Sequence, residues 1–305
     1  MPAPKMHMIE GPWIHKFIVS NGIRLHYVTQ GEGELVLLLH GFPEFWYSWR
    51  HQIPVLAEKH KVVALDLRGY HLSDKPQDTA SYVLDELILD IVGVLDGLGY
   101  RRCHLVGHDW GGMVAWGVAY AAHERIQTLS VLACPHPAKF QQLSFEQWLR
   151  SYMLLFQLPW LPEILLEWGG YGAIAQIFRW AAVNQQAIRP LDIARYQDAA
   201  AQRGALSGML NYYRAGLQSL YSREWGVLDI PTLMLWGRQD PILGIELTYG
   251  TEAYVKELKI QYLDHCGHFV QQEQPDLVNE YLLEWLETVS APSIRPKSFH
   301  LNQTT

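Results

Sequence analysis

Seven short apolar runs punctuate this 305-residue chain, at 24–28, 35–39, 62–67, 103–107, 128–132, 232–236 and 259–263. Most are apolar at consecutive positions. A strand with one wet face alternates apolar and polar residues, whereas a strand covered on both faces does not. Helical patterns follow several runs, at about 81–98, 111–122 and 276–288. This strand–helix alternation predicts an α/β fold with a mainly parallel central sheet flanked by helices. There is no internal repeat and no low-complexity segment.

The alternation breaks between about 137 and 224. That stretch holds no convincing strand and is rich in Trp, Tyr and Leu at helical spacing (Trp148, Tyr152, Phe156; Trp168, Tyr171). A helical insertion between two strands of one sheet reads as a lid over the C-terminal edge, where open α/β sheets place their sites. The expected division is a core of 1–136 and 225–305 with a cap of 137–224.

Composition excludes several classes. With 49% hydrophobic and 18% charged residues the chain carries enough apolar material for one large core. A net charge of −7 argues against nucleic acid or an anionic membrane surface as partner. Three cysteines, Cys103, Cys134 and Cys266, make no disulfide framework and no metal-ligand spacing. No stretch has the apolar core of a secretory signal, and no run approaches the roughly 20 apolar residues of a membrane span. The expectation is a cytoplasmic protein, monomer or homodimer, with no metal or organic cofactor.

The sharpest local motif is Gly107-His108-Asp109-Trp110-Gly111-Gly112, after an apolar strand and before a helix. That is the setting of a nucleophile elbow, whose glycines allow a tight strand-to-helix turn. The central side chain stands above a helix N-terminus, where free N–H groups favour negative charge. The usual residue there is serine; here it is Asp109. A serine attacking saturated carbon leaves an ether that water does not readily cleave. A carboxylate leaves an ester, hydrolysable at the enzyme's own carbonyl carbon. Asp109 therefore points to displacement at sp³ carbon, either epoxide opening or dehalogenation. The competing structural role is a helix N-cap.

His40-Gly41-Phe42-Pro43 follows the 35–39 run. Gly41 permits an unusual turn, which would aim the Phe42 N–H into the site. With the Trp110 N–H it forms an expected oxyanion hole, and Phe42 and Trp110 are also expected to bound the substrate. His268 follows the last strand, where the chain order nucleophile–acid–base puts the base. It would activate water against the ester. Its orienting carboxylate is Asp240, just after the 232–236 run, with Asp264 a rival too close to a strand end.

Four segments, HGFPEFWYSWRHQ (40–52), GHDWGGM (107–113), WGRQDP (236–241) and DHCGHFVQ (264–271), resemble soluble epoxide hydrolases of the α/β-hydrolase fold. The similarity covers about 20–136 and 226–290 and is weaker in the lid. It implies an α/β-hydrolase core with the lid inserted after the sixth strand. It also implies two lid tyrosines that bond the epoxide oxygen and protonate it as the ring opens. The segment 152–157 implies Tyr152, and 211–214 implies Tyr213 over Tyr212. A phenol of pKa about 10 stays protonated at neutral pH, as that role requires.

The implied substrate is a small apolar epoxide, with water as co-substrate and a vicinal diol as product. The lid aromatics Trp148, Trp160, Trp168 and Trp180 point the same way. Haloalkane dehalogenases, the alternative, carry Asn where this chain has Phe42. Fluoroacetate dehalogenases carry arginines around the elbow, where this chain has Trp110 and Met113, and an acid in the loop that here reads ACPHP (133–137). A catalytically idle ligand-binding hydrolase fold would show a degenerate triad, and none is seen.

Overall fold

A computed structural model of the chain describes residues 8–142, 152–216, 219 and 221–290. Eight strands form one sheet: β1 (Ile14–Ser20), β2 (Ile23–Gln30), β3 (Leu35–Leu39), β4 (Lys61–Leu65), β5 (Cys103–His108), β6 (Ile126–Leu132), β7 (Thr232–Gly237) and β8 (Leu258–Leu263). Their order across the sheet is β1-β2-β4-β3-β5-β6-β7-β8. The β1–β2 and β2–β4 pairs are antiparallel, and every later pair is parallel.

Burial explains which strands were visible in sequence. All of β3 and all of β5 are buried, and β3 is apolar at every position. β1 is missing from the seven runs because it is an edge strand, mostly exposed, with charged and polar residues between its apolar ones. β3 and β5 sit at the centre of the sheet, so their C-terminal ends, at His40 and Asp109, emerge side by side.

The core helices are α1 (Gln52–Leu56), α2 (Leu84–Leu98), α3 (Trp110–Ala121), α9 (Val270–Glu273) and α10 (Pro275–Ser290). α2 packs on α3, and α1 packs on α10. Between β6 and β7 lie α4 (Pro137–Gln141), α5 (Tyr152–Phe156), α6 (Leu161–Ala181), α7 (Pro190–Ala200) and α8 (Ala205–Asn211), then a π-type turn at Tyr212–Gly216. No strand occurs in this insertion among the described residues. No helix among them is long and apolar enough to cross a membrane.

Two expectations for the insertion are corrected. Trp168 and Tyr171 do not share a helix face. They flank a break in α6 at which Gly169, Gly170 and Tyr171 all take positive φ. Trp160 and Trp168 are exposed at 77% and 78%, so they build no interior surface. Trp148 lies outside the described residues.

Candidate active site

The elbow is a backbone construction first. Asp109 sits at φ 50°, ψ −121°, a region that costs a non-glycine residue on the order of 1–3 kcal/mol. A Cβ at Gly107 would stand 2.4 Å from the Gly111 carbonyl oxygen, so the turn closes only with glycine there. Gly41 works through space, not through an unusual φ. A Cβ on it would lie 2.5 Å from the Asp109 Cβ, so its bareness lets the two loops touch. Asp109 does not cap α3 with its side chain. Its Oδ1 instead accepts the Phe42 N–H at 2.8 Å.

His268 comes from the loop after β8. Its Nε2 stands 3.6 Å from Asp109 Oδ2, and its Nδ1 bonds Asp240 Oδ2 at 2.8 Å. The second Asp240 oxygen accepts the Ile242 and Leu243 N–H groups at 2.8 and 3.0 Å, which fixes the carboxylate. Asp264, the rival, is exposed and pairs with Arg238 at 2.7 Å.

Burial alone would raise the Asp109 carboxyl. The neighbouring His268, together with His108 and the Phe42 N–H, holds it below the ordinary carboxylate range. Burial alone would lower His268. Flanked by Asp240 and Asp109, it is instead raised well above the ordinary histidine value. One histidine between two carboxylates therefore favours its imidazolium form while both carboxylates are charged. Removing the Asp109 charge, as an ester does, removes one of those influences and returns the imidazole toward a useful base.

Asp109, His268, Phe42 and Tyr213 open onto one cavity of about 260 Å³. Its remaining lining is apolar: Leu155, Phe156, Pro162, Leu165, Leu166, Ala173, Ile177 and Trp180 from the insertion, and Ile242 from the core. Tyr213 is boxed by edge-on contacts to Phe42, Trp110 and Phe156, at 5.0–5.4 Å between ring centres. Tyr212 points elsewhere, donating to the Arg68 carbonyl at 2.9 Å. Both tyrosines lie in the π-type turn, a feature frequent at functional sites.

One placement differs from expectation, and one is not tested. Trp110 is not among the residues that line the cavity; its ring packs edge-on against Tyr212 and Tyr213. The Tyr152 backbone opens α5, but its side chain lies outside the described residues.

Sequence reading missed two buried carboxylates that hold the site. Glu44 Oε2 is 2.8 Å from His108 Nδ1, and His108 Nε2 donates to the His268 carbonyl at 2.9 Å. Glu273 accepts the Gly267 and Phe269 N–H groups on either side of His268, and the Val183 and Asn184 N–H groups beyond α6. The Glu44–His108 pairing follows no local spacing rule, although Glu44 does lie in the segment that follows Gly41; Glu273 reaches Gly267 and Phe269 locally and Val183 and Asn184 only through the fold.

The α/β-hydrolase fold family matches residues 34–275. The chain is 40% identical over 281 residues to mouse "Epoxide hydrolase 4", covering 88% of this chain and 78% of that one. It is 37% identical over 283 residues to the Bacillus subtilis AB hydrolase superfamily protein YfhM, covering 89% and 97%. Among solved structures, a Bacillus megaterium epoxide hydrolase in complex with an inhibitor superposes with TM-score 0.82 at 35% identity, covering 89% of this chain and all of that one. The match thus runs through the insertion as well as the core, and the chain belongs to the epoxide hydrolase family of the α/β-hydrolase fold.

Proposed function

We propose that the protein hydrolyses apolar epoxides to vicinal diols through a covalent ester on Asp109. The observation that carries this reading is one apolar cavity onto which a carboxylate, a carboxylate-backed histidine and a phenol all open. Residues 137–224 act as the cap, with 1–136 and 225–305 as the core. Substrate binds between them.

Tyr213, with Tyr152 as its partner, donates to the epoxide oxygen. Asp109 attacks an epoxide carbon from the opposite side. The C–O bond of the ring breaks, and the alkoxide takes a proton from the tyrosine pair. Water then gives a proton to His268, backed by Asp240, and attacks the ester carbonyl carbon. The Phe42 and Trp110 N–H groups hold the tetrahedral oxyanion. Its collapse expels the diol as an alkoxide, which takes the proton held by His268, and the proton left on the Asp109 carboxyl returns to the tyrosinate, regenerating ionised Asp109 and the phenol. Each step balances with epoxide and water alone.

A halide leaving group needs N–H donors aimed into the cavity. Phe42 offers no side-chain donor, which favours the epoxide reading over dehalogenation. A cytoplasmic monomer or homodimer belongs to the same reading; three buried free thiols suit a reducing compartment.

The test is a panel of aryl and alkyl epoxides and haloalkanes, with diol and halide measured together. Diol without halide is expected. Halide without diol would make the protein a dehalogenase, and neither product would remove the reading. Tyr213→Phe should lower the rate of ring opening by roughly 10²-fold with little change in ester hydrolysis, measured by rapid quench. An unchanged ring-opening rate would take Tyr213 out of the mechanism.

A further inference from the structure

The outer face of the helical insertion carries side chains of the kind that cores are made from. In the first half of α6, Leu161, Ile164 and Leu165, with Trp168 at the break, follow the i, i+3, i+4, i+7 spacing of one helix face, and all four are exposed. Pro162 and Leu166 point the other way, are buried and line the catalytic cavity. A helix with one buried face ordinarily presents polar residues on the other. Leu158 and Trp160, just before the helix, extend the exposed apolar run. Single exposed apolar side chains are ordinary, whereas a contiguous stripe marks an interaction surface. Trp160 adds to this. It takes φ 61°, in the region that favours glycine, and it is 77% exposed. The fold holds a tryptophan in water at a strained position.

Charge, residue type and access together select the occupant. Residues 152–178 contain no Lys or Arg, and their only acids are Glu163 and Glu167. Glu163 is held by Arg214 at 2.8 Å. The stripe therefore offers no cations to draw an anionic surface, and little charge pattern to fix the register of a folded protein. It is bounded by Trp160 and Trp168, and tryptophan is the residue that settles where water meets hydrocarbon. Leu165 belongs both to the stripe and to the lining of the catalytic cavity, so the two apolar surfaces meet at one side chain. A folded partner or a second copy seated there would wall the cavity off. A fluid lipid surface would not, and it concentrates apolar molecules.

We propose that this face docks on the surface of a bilayer of electrically neutral phospholipid. Trp160, Ile164 and Trp168 enter the headgroup region, and the first half of α6 lies in the plane of the surface. The attachment is peripheral and reversible. Resting on the reading of the substrate as an apolar epoxide, the docked protein draws on substrate dissolved in the lipid. Leu165 is the point at which the lipid-facing surface passes into the cavity.

The probe is vesicles of phosphatidylcholine alone, floated with the full-length protein in the absence of substrate, so that the result does not depend on epoxide turnover. The parent should float with the vesicles and its tryptophan emission should move to shorter wavelength. Binding should persist in about 1 M salt, where charge attraction is screened. Combining Trp160→Gly, Ile164→Ser and Trp168→Ser should weaken partitioning more than about 10-fold with little change in melting, because all three side chains are exposed. Trp160→Gly alone relieves the positive φ, so it should fold whatever the triple variant does, and it should weaken partitioning by about 3-fold or more. The triple variant should be slower on an epoxide dissolved in vesicles and match the parent on one dissolved in water. A parent that does not float would overturn the proposal, as would equal flotation of the variants or parental rates on both substrates. Flotation on anionic vesicles only, lost in salt, would assign the binding to charge and also overturn it. Self-association without lipid binding, lost in the triple variant, would give the face to a second copy and overturn it too. Stripe-dependent flotation without diol from any epoxide would sustain the docking face while removing the epoxide reading.

Discussion

Changing His268 to glutamine should stop the enzyme halfway. Ring opening needs an ionised Asp109 and a proton for the epoxide oxygen, and neither comes from His268. Water attack on the ester needs a base, and the substituted amide has none. Asp109 should therefore be alkylated and stay so. After mixing with epoxide, intact mass should rise by the mass of one substrate molecule, with steady diol formation down on the order of 10⁴-fold. His268 is also the group that lowers the Asp109 carboxyl most among its neighbours. The alkylation rate of the variant should therefore fall off at a higher pH than that of the parent as the medium is acidified. A variant that neither alkylates nor turns over at neutral pH would count against a role confined to the second step.

Asp109→Ala should remove both steps. Losing a covalent nucleophile costs on the order of 10⁶ in turnover, and neither adduct nor diol should form above the uncatalysed rate. The fold should survive, because the Asp109 carboxylate caps no helix and its main interactions are with Phe42 N–H and His268. Since alanine removes only the carboxylate from the lining, an apolar epoxide should still bind. Thermal melting, binding and product assay on one preparation separate these outcomes. Diol formation at the parental rate would assign the attack to another group.

What was legible in sequence and what was not divides along a physical line. The elbow could be read because glycines mark backbone positions directly, and Gly107 and Gly41 are required by contacts a Cβ would violate. Asp240 and His268 could be read because chain order and strand ends locate them, although 28 residues separate the pair. Buried strands were visible as apolar runs. The edge strand β1 was not, because half its residues face water.

Helical spacing misled at Trp168 and Tyr171, since two adjacent glycines at positive φ break α6 between the residues that looked aligned. Composition identified an apolar cap but not which side chains face inward. Leu155, Leu166 and Ile177 do, whereas Trp160 and Trp168 face outward. The partners that steady the catalytic loop were invisible for another reason. The Glu44–His108 and Glu273–Val183 contacts join residues 64 and 90 apart, and only the folded chain brings them together.

The covalent ester on Asp109 is the central claim, and isotope tracing of a single turnover tests it most directly. Enzyme in excess over epoxide would be quenched after one turnover in ¹⁸O-water, and both the diol and the peptide containing Asp109 analysed by mass. The account predicts an unlabelled diol, its new oxygen drawn from the carboxylate, and one ¹⁸O in the Asp109 side chain. Label in the diol with an unlabelled Asp109 peptide would mean that water attacks the epoxide directly, and would contradict the account.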